Sequence, residues 1–271
     1  RQVLITLGDE YQQARGEMAR RSREVRQSTI SYCVRSGRNI ERLVNPLISL
    51  HSQKIKVPFE GSSQADVSIE HYPAGFVPPE GCVVLAASRW DMMKWMIELQ
   101  DASCAFCFPD KTAQQDLELF MTTAVMLFNP RYYSVESSTL GTHGDFSELS
   151  DWQQVREAHQ FDEAFLWVES VLEKGFKMAD VTRLNRVVGS PGKRCMLMLA
   201  EDAGGMEFDR VLLTPGLLTN GKFKDAYEFD ERLCLVYIAI SRARQQLYLP
   251  FDLIEWVEYH DYQKYRESHG Y

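Results

Sequence analysis

Two arginines that follow an apolar run near the end of the sequence are the residues best placed to do chemistry. The stretch DERLCLVYIAISRARQQLYL, residues 230–249, puts Arg242 and Arg244 directly after that run. A cation costs several kcal/mol to take out of water unless an anion meets it. Arg242 therefore either points into a cleft that receives phosphate or carboxylate, or caps the C-terminus of a helix against its dipole. The stretch alone leaves both interpretations open.

A second set of cations lies near the start of the chain. Arginines recur through residues 15–26, at positions Arg15, Arg20, Arg21, Arg23 and Arg26. This spacing would let them lie along a phosphate backbone, and it would equally suit the solvated face of a helix. The first 50 residues carry nine arginines against five acidic residues, whereas the whole chain has a net charge of −8. The acidic remainder argues against a protein that coats nucleic acid through bulk charge.

Apolar runs alternating with helical patterns must position these cations. Strands are predicted at residues 3–7, 28–34, 67–70, 82–86, 104–108, 195–200, 210–213 and 246–249. Helices are predicted at residues 14–26, 39–50, 90–99, 114–128, 151–159, 162–173, 178–187 and 230–241. Strand-helix units on both sides of a helical stretch indicate an α/β domain with an inserted helical subdomain.

Composition places the chain among globular proteins. Its 271 residues are 45% hydrophobic and 25% charged, which is enough for one large domain or two smaller ones. No apolar run approaches the roughly 20 residues of a membrane span, and the start resembles neither a signal nor a transit peptide. The missing initiator Met predicts a fragment or a processed chain.

The six cysteines and six histidines predict no metal site. Most cysteines sit inside apolar runs, which is typical of reduced, buried thiols in a cytoplasmic protein. This predicted location includes a protein associated with the nucleoid. Cys104 and Cys107 have the C-x-x-C spacing of a metal or redox pair, but no second pair or nearby histidine completes it. They are therefore predicted to belong to the core, and the histidines are scattered without ligand spacing.

Four stretches resemble, in the same order, motifs of the UvrD/Rep/PcrA-like superfamily 1 DNA helicases. LGDEYQ, residues 7–12, resembles the GDxxQ motif, and ISYCVRSGRNIERLVNPLI, residues 30–48, resembles the opening of the second RecA-like domain. LAEDAGGMEFDRVLL, residues 199–213, resembles the motif TxHxxKGLEFDxVxL. Residues 230–249 resemble the last motif, in which the arginine of the TRA triplet contacts the terminal phosphate of ATP.

The resemblance implies roles for six residues, and the positive charge of the first 50 residues predicts DNA contacts for four more. The catalytic ones would be Arg35 and Arg242, as arginine fingers, and Gln12, as a sensor of the terminal phosphate. The nucleotide would be contacted by Glu207, Gly205 and Tyr32. The DNA backbone would be contacted by Arg15, Arg20, Arg21 and Arg38. The implied cofactor is ATP with Mg²⁺, held mainly by residues that this sequence does not contain.

The sequence also departs from the family pattern. Val34 stands where the family has a tyrosine that packs on adenine, so Tyr32 would have to substitute for it. Leu199, Glu201 and Gly204 replace the Thr, His and Lys of the third motif. The sequence contains no GxxxxGK[ST] phosphate-binding loop, so this chain is predicted not to hydrolyse ATP by itself.

The resemblance predicts an α/β, RecA-like fold of the P-loop NTPase type, lacking its own P-loop and carrying a helical insertion. The predicted regions are the end of the first RecA-like domain with a connector (1–26), the second RecA-like domain (27–110 and 191–250), a helical 2B-like insertion (111–190) and a C-terminal tail (251–271). The predicted function is that of the C-terminal part of an ATP-dependent DNA helicase or translocase. Its partners would be single-stranded or partly duplex DNA and the N-terminal RecA-like domain of the same protein, with no membrane involved. The alternative is a catalytically degenerate module that serves as a DNA- or protein-binding scaffold.

Overall fold

Helices and parallel strands alternate along the chain in the computed structural model, which describes residues 10–12, 31–53, 57–133, 141–189, 194–219, 223, 225–251 and 253–269. These residues fall into two compact units. The first takes in those within Arg1–Tyr72, Ala200–Leu213 and Phe223–Tyr271, and the second those within Pro73–Leu199 and Thr214–Lys222. The predicted strand at 3–7 and helix at 14–26 lie outside the described residues.

The elements of the described residues are as follows. The strands are β1 Tyr32–Gly37, β2 Glu60–Ser62, β3 Ser68–His71, β4 Cys82–Ala86, β5 Phe106–Cys107, β6 Cys195–Leu199, β7 Phe208–Leu213 and β8 Ala243–Leu249. The helices are α1 Arg38–Leu50, α2 Arg89–Asp101, α3 Lys111–Phe128, α4 Trp152–His159, α5 Glu163–Glu173, α6 Met178–Val187, α7 Ala226–Ile240 and α8 Leu253–His269.

The first unit contains two sets of parallel strands. Strand β1 pairs with β2, and a second set has the order β3–β8–β7, with Ile69 and Val211 both in register with Leu247. Helix α1 packs on α7 and α8. It buries the apolar face that helical spacing predicts, formed by Ile40, Leu43, Val44, Leu47 and Ile48.

A close approach of two backbones fixes the turn from β1 into α1. A Cβ atom on Gly37 would lie 2.1 Å from the carbonyl oxygen of Ala65, and one on Gly61 would lie 2.4 Å from the carbonyl oxygen of Gly37. Neither distance is compatible with a side chain. The glycine of the sequence Arg-Ser-Gly-Arg is therefore required by packing against the segment around β2.

The second unit combines parallel strands in the order β4–β6–β5 with helices α2 to α6. Side chains cap the first turns of α2 and α3, because Ser88 accepts from the amide of Asp91 and Asp110 from that of Ala113. Four helices, α3 to α6, lie between β5 and β6 in the chain. This part of the chain packs on α2 around Trp90, whose ring centroid lies 4.6–6.1 Å from those of four aromatic residues: Phe120, Phe146, Trp152 and Phe165.

The structure confirms the predicted helices between residues 39 and 187, and it adds two elements that the sequence reading missed. Strand β2 lies in the turn-rich segment 53–79. The tail after residue 250 contains α8, which buries Leu253, Trp256 and Val257. Among the described residues, no helix is long and apolar enough to cross a bilayer.

Candidate functional site

The short 3-10 helix Glu10–Gln12, which carries Gln12, is anchored by its central tyrosine. Tyr11 is fully buried, and its hydroxyl donates to the carbonyl oxygen of Ile48 at 2.8 Å. Its ring centroid lies 5.2 Å from that of Tyr237 on α7 and 5.4 Å from that of His51. These contacts hold Gln12, which is half-buried, beside the C-terminal half of α7.

The guanidinium of Arg242 binds the protein's own main chain. The residue is 1% exposed; its Nε donates to Ile238 O at 3.0 Å and its Nη1 to Met206 O at 3.0 Å. Its Nη2 donates to the hydroxyl of Ser241 at 2.8 Å. The bond to Ile238 reaches a carbonyl of the last turn of α7, which is the helix-capping interaction that the sequence left open. The finger role of Arg242 stays a prediction.

Arg242 also fixes the turn that carries Gly205 and Glu207. Its carbonyl oxygen accepts from the amide of Phe208 at 2.9 Å, while its side chain reaches the carbonyl of Met206. Gly205, with φ of 75°, takes the left-handed conformation that glycine adopts without strain. Both Gly205 and Glu207 are exposed. Glu207 is therefore presented to solvent by a turn that Arg242 holds on both sides.

The remaining predicted residues of the first unit lie on β1 and α1. Tyr32 begins β1 and is 45% exposed, and Arg38 begins α1 and is exposed. Arg35 lies within β1, and its side chain is outside the described residues, as are Arg15, Arg20 and Arg21 altogether. Within the first unit, the segment with Gln12 packs on α7 through Tyr11, and the turn with Glu207 is bound to the end of α7 through Arg242. Tyr32 and Arg38 lie in the same unit.

A buried carboxylate on α7 was missed by the sequence reading. Asp230 is buried, accepts from the amide of Ser52 at 3.0 Å and from the Ser52 hydroxyl, and lies 3.3 Å from Nδ1 of His51. Because the serine hydroxyl binds the carboxylate and not the imidazole, this is not the geometry of a nucleophilic triad. Asp230 links the end of α1 to α7. Its role is visible only in the structure, because its partners are distant in sequence.

A second buried carboxylate lies in the second unit, after the carboxyl end of β4. Asp91 is 2% exposed and accepts from the amide of Ala87 at 2.9 Å and from the hydroxyl of Thr214. Burial raises the pKa of Asp91 from 3.8 to about 6, although both hydrogen bonds oppose the shift. A Cβ on Gly216 would lie 2.6 Å from its Oδ2, so the backbone packs directly on the carboxyl group.

A third polar cluster links α2 and α3 to the segment before α4. Arg89 Nε lies 2.7 Å from Asp116 and its Nη1 lies 3.2 Å from Asp145. His143 Nδ1 accepts from the amide of Asp145, so Nε2 carries the proton and donates to Asp116 at 3.1 Å. Partial burial raises the pKa of Asp116, but the hydrogen bonds from Arg89 and His143 outweigh it and leave that pKa lowered. The cluster is structural, because each polar group is bound by another.

The residues present do not make a complete site for ATP with Mg²⁺. No group of three or more His, Cys, Asp or Glu side chains within the described ranges could hold a metal ion. The sequence has no phosphate-binding loop.

No family model matches the chain, and no curated protein is significantly similar to it. The helicase resemblance therefore rests on the four motif stretches and their order.

Proposed function

We propose that this chain is the C-terminal part of a UvrD-like DNA helicase or translocase. In this proposal residues 27–110 and 191–250 form the second RecA-like domain, and residues 111–190, which contain α3 to α6, form its helical insertion. Arg35, Arg242, Gln12 and Glu207 contribute to a nucleotide site on a P-loop domain outside this sequence. Arg15, Arg20, Arg21 and Arg38 contact the DNA backbone.

The observation that carries the proposal is the convergence of the motif segments on α7. The 3-10 helix with Gln12 docks on α7 through Tyr11, and the turn with Glu207 is bound to its end by Arg242. These segments come from opposite ends of the sequence, yet they share one unit. A site that senses and stabilises phosphoryl charge needs such groups together, because cations must face the charge that develops on the transferred group.

A second candidate function is a scaffold that has lost catalysis, and one observation favours it. The guanidinium of Arg242 is buried on carbonyl oxygens, so its place in the fold is accounted for without a nucleotide. The sequence departures at Val34, Leu199, Glu201 and Gly204 point the same way. In this function Arg242 stabilises the turn at residues 203–206 and does nothing else.

The decisive experiment is the ATPase activity of the complete gene product with single-stranded DNA, in wild type and in Arg242→Ala. A finger arginine contributes about 10³-fold or more to kcat, so the motor proposal predicts a loss of that size in a variant that still folds. Arg244→Ala is the matched control, because Arg244 is exposed and paired with Asp209 at 3.0 Å. A wild-type protein without DNA-stimulated ATPase, or a variant with unchanged kcat, would favour the scaffold.

DNA binding is tested separately by titrating a labelled single strand with this chain at low salt. Phosphate contacts make such binding weaken steeply as salt rises. We expect the wild-type chain to bind the strand, and we expect the double variant Arg20→Ala, Arg21→Ala to bind it more weakly. No binding at low salt would remove DNA from the partners of this chain.

A further inference from the structure

Two thiols from separate segments of the second unit lie in contact. Cys104 follows α2 and Cys195 begins β6, and their Sγ atoms are 3.6 Å apart. Neither is part of a disulfide. A separation this short, across 91 sequence positions, places the two sulfurs within reach of a single covalent bond if the side chains rotate.

Main-chain hydrogen bonds hold Cys104 in this position. The amide of Cys104 donates to Leu99 O at 2.8 Å, and the amide of Ser103 donates to Gln100 O at 3.0 Å. Ser103 has φ of 57°. These three features form a Schellman motif, the left-handed turn that ends many helices. Cys104 is therefore fixed by the end of α2, even though it lies outside regular structure.

Cys195 is fixed just as firmly from the strand side. Its amide donates to Ala105 O at 3.1 Å, and it is in register with Phe106 where β5 and β6 pair. Its thiol donates to the carbonyl oxygens of Pro78 and Pro79, each at 3.5 Å. The two sulfurs are thus held together by two independent backbone arrangements.

The two thiols differ in accessibility. Cys104 is partly exposed, whereas Cys195 is 1% exposed. Burial, and then the neighbouring Cys104, raise the pKa of the Cys195 thiol. An oxidant in solvent therefore reacts with Cys104 first, and the neighbouring Cys195 remains a protonated thiol.

We propose that Cys104 and Cys195 form an oxidation site in which a hydroperoxide converts the pair to a disulfide. The Cys104 sulfur attacks the peroxide, the O–O bond breaks, and Cys104 becomes a sulfenic acid while water or an alcohol leaves. The Cys195 sulfur then attacks the Cys104 sulfur. The S–S bond forms, the S–O bond breaks, and the hydroxyl leaves with the Cys195 proton as water. The pair loses two electrons and the hydroperoxide gains them.

The disulfide would change the local structure in two ways. It would join the end of α2 covalently to the start of β6. It would also remove the S–H that donates to the carbonyl oxygens of Pro78 and Pro79. Neither consequence depends on nucleotide or DNA, so this proposal stands apart from the proposed helicase function.

The test is to treat the folded, reduced chain with hydrogen peroxide, block remaining thiols, and map peptides without reduction. We expect two of the six thiols to disappear and one cross-linked peptide pair to contain Cys104 and Cys195. Cys107 shares a tryptic peptide with Cys104, so the mapping is repeated in Cys107→Ser, where the cross-link should persist. It should be absent in Cys104→Ser and in Cys195→Ser, and present in the control Cys33→Ser.

Several results would overturn the proposal. One is a Cys104–Cys107 disulfide, and another is a Cys104 sulfinic acid with no cross-link. A third is a cross-link that forms equally well in urea, since the fold would then not select the pair. Circular dichroism of each variant before oxidation shows whether it is folded, and Cys104→Ser, at a partly exposed position, keeps the test usable if Cys195→Ser does not fold.

Discussion

Arg242 in the first unit and Asp91 in the second are both buried charged side chains, but the fold accommodates them differently. Arginine keeps its charge at any pH a protein tolerates, so carbonyl oxygens and a hydroxyl gather around the guanidinium of Arg242. A carboxyl group can bind a proton instead, and the pKa of Asp91 rises to about 6. A permanent buried charge thus requires hydrogen-bond acceptors around it, whereas a titratable buried group makes the stability of the folded state depend on pH.

The largest effect is expected for Arg242→Ala. Removing the guanidinium takes this donor away from the carbonyls of Ile238 and Met206, and each lost bond to a charged group costs about 1.5–3 kcal/mol. We expect the free energy of unfolding, measured by urea titration, to fall by about 3–5 kcal/mol. If the free energy of unfolding fell no more than it does when an exposed arginine is replaced, the hydrogen bonds of Arg242 would not stabilise the turn.

Asp91→Asn should remove a pH dependence. The folded-state pKa of Asp91 is raised above its unfolded value of 3.8, so the folded state binds the proton more tightly. Its contribution to stability is complete below pH 3.8 and is lost as pH rises to about 6; the total is about 3 kcal/mol. Lys94 lowers this pKa and Asp162 raises it, both more weakly than burial.

The measurement for Asp91 is the unfolding free energy at a series of pH values from 4 to 7. Subtracting the Asp91→Asn curve from the wild-type curve cancels other groups, including Asp116, whose lowered pKa acts in the opposite direction. The difference should change by most of this total, about 2 kcal/mol, across this range. A flat difference would mean that Asp91 titrates in the folded state as it does in the unfolded chain.

Gly216→Ala should have an intermediate effect. The new methyl group would lie 2.6 Å from Oδ2 and 2.8 Å from Cγ of Asp91, so the carboxyl group or the segment around Thr214 must move. Overpacking of this kind costs about 1–3 kcal/mol. Thermal unfolding of Gly144→Ala is the control, because nothing lies within 4 Å of a Cβ at Gly144. Equal melting temperatures for the two variants would contradict the packing of Gly216 on Asp91.

Arg244→Ala should have the smallest effect. Arg244 is two residues from Arg242, but it is exposed and its ion pair with Asp209 is solvated. We expect no change in the urea midpoint beyond experimental error. A large change in the midpoint would contradict the expectation that buried Arg242 contributes to stability and exposed Arg244 does not.

Most elements could be predicted because their signals are local. The apolar runs of β4 and β6 and the helical spacing of α1 are visible in single stretches of sequence. The same spacing exists in the tail at Leu253, Trp256 and Val257, but the surrounding aromatic and charged residues obscured it. Strand β2 has only three residues, too few to show a pattern.

The buried polar groups could not be predicted because their partners are distant in sequence. Asp91 occupies the first turn of a helix, where acidic residues are common on exposed surfaces. It is buried because Thr214 and Gly216, more than 120 positions away, pack on it. In the same way, one acceptor of Arg242, the carbonyl of Met206, belongs to a turn that precedes α7 by a strand and a loop.

The hydrogen bonds that join Arg242 to the segment 203–208 have a mechanical consequence. Its side chain and its carbonyl hold Met206 and Phe208 on either side of Glu207, so the last turn of α7 and this turn cannot be displaced separately without breaking those bonds. A shift of α7 along its axis would carry Glu207 with it over the same distance. In amide hydrogen exchange, the protons of Phe208 and Ser241 should therefore open in a single event, with one rate.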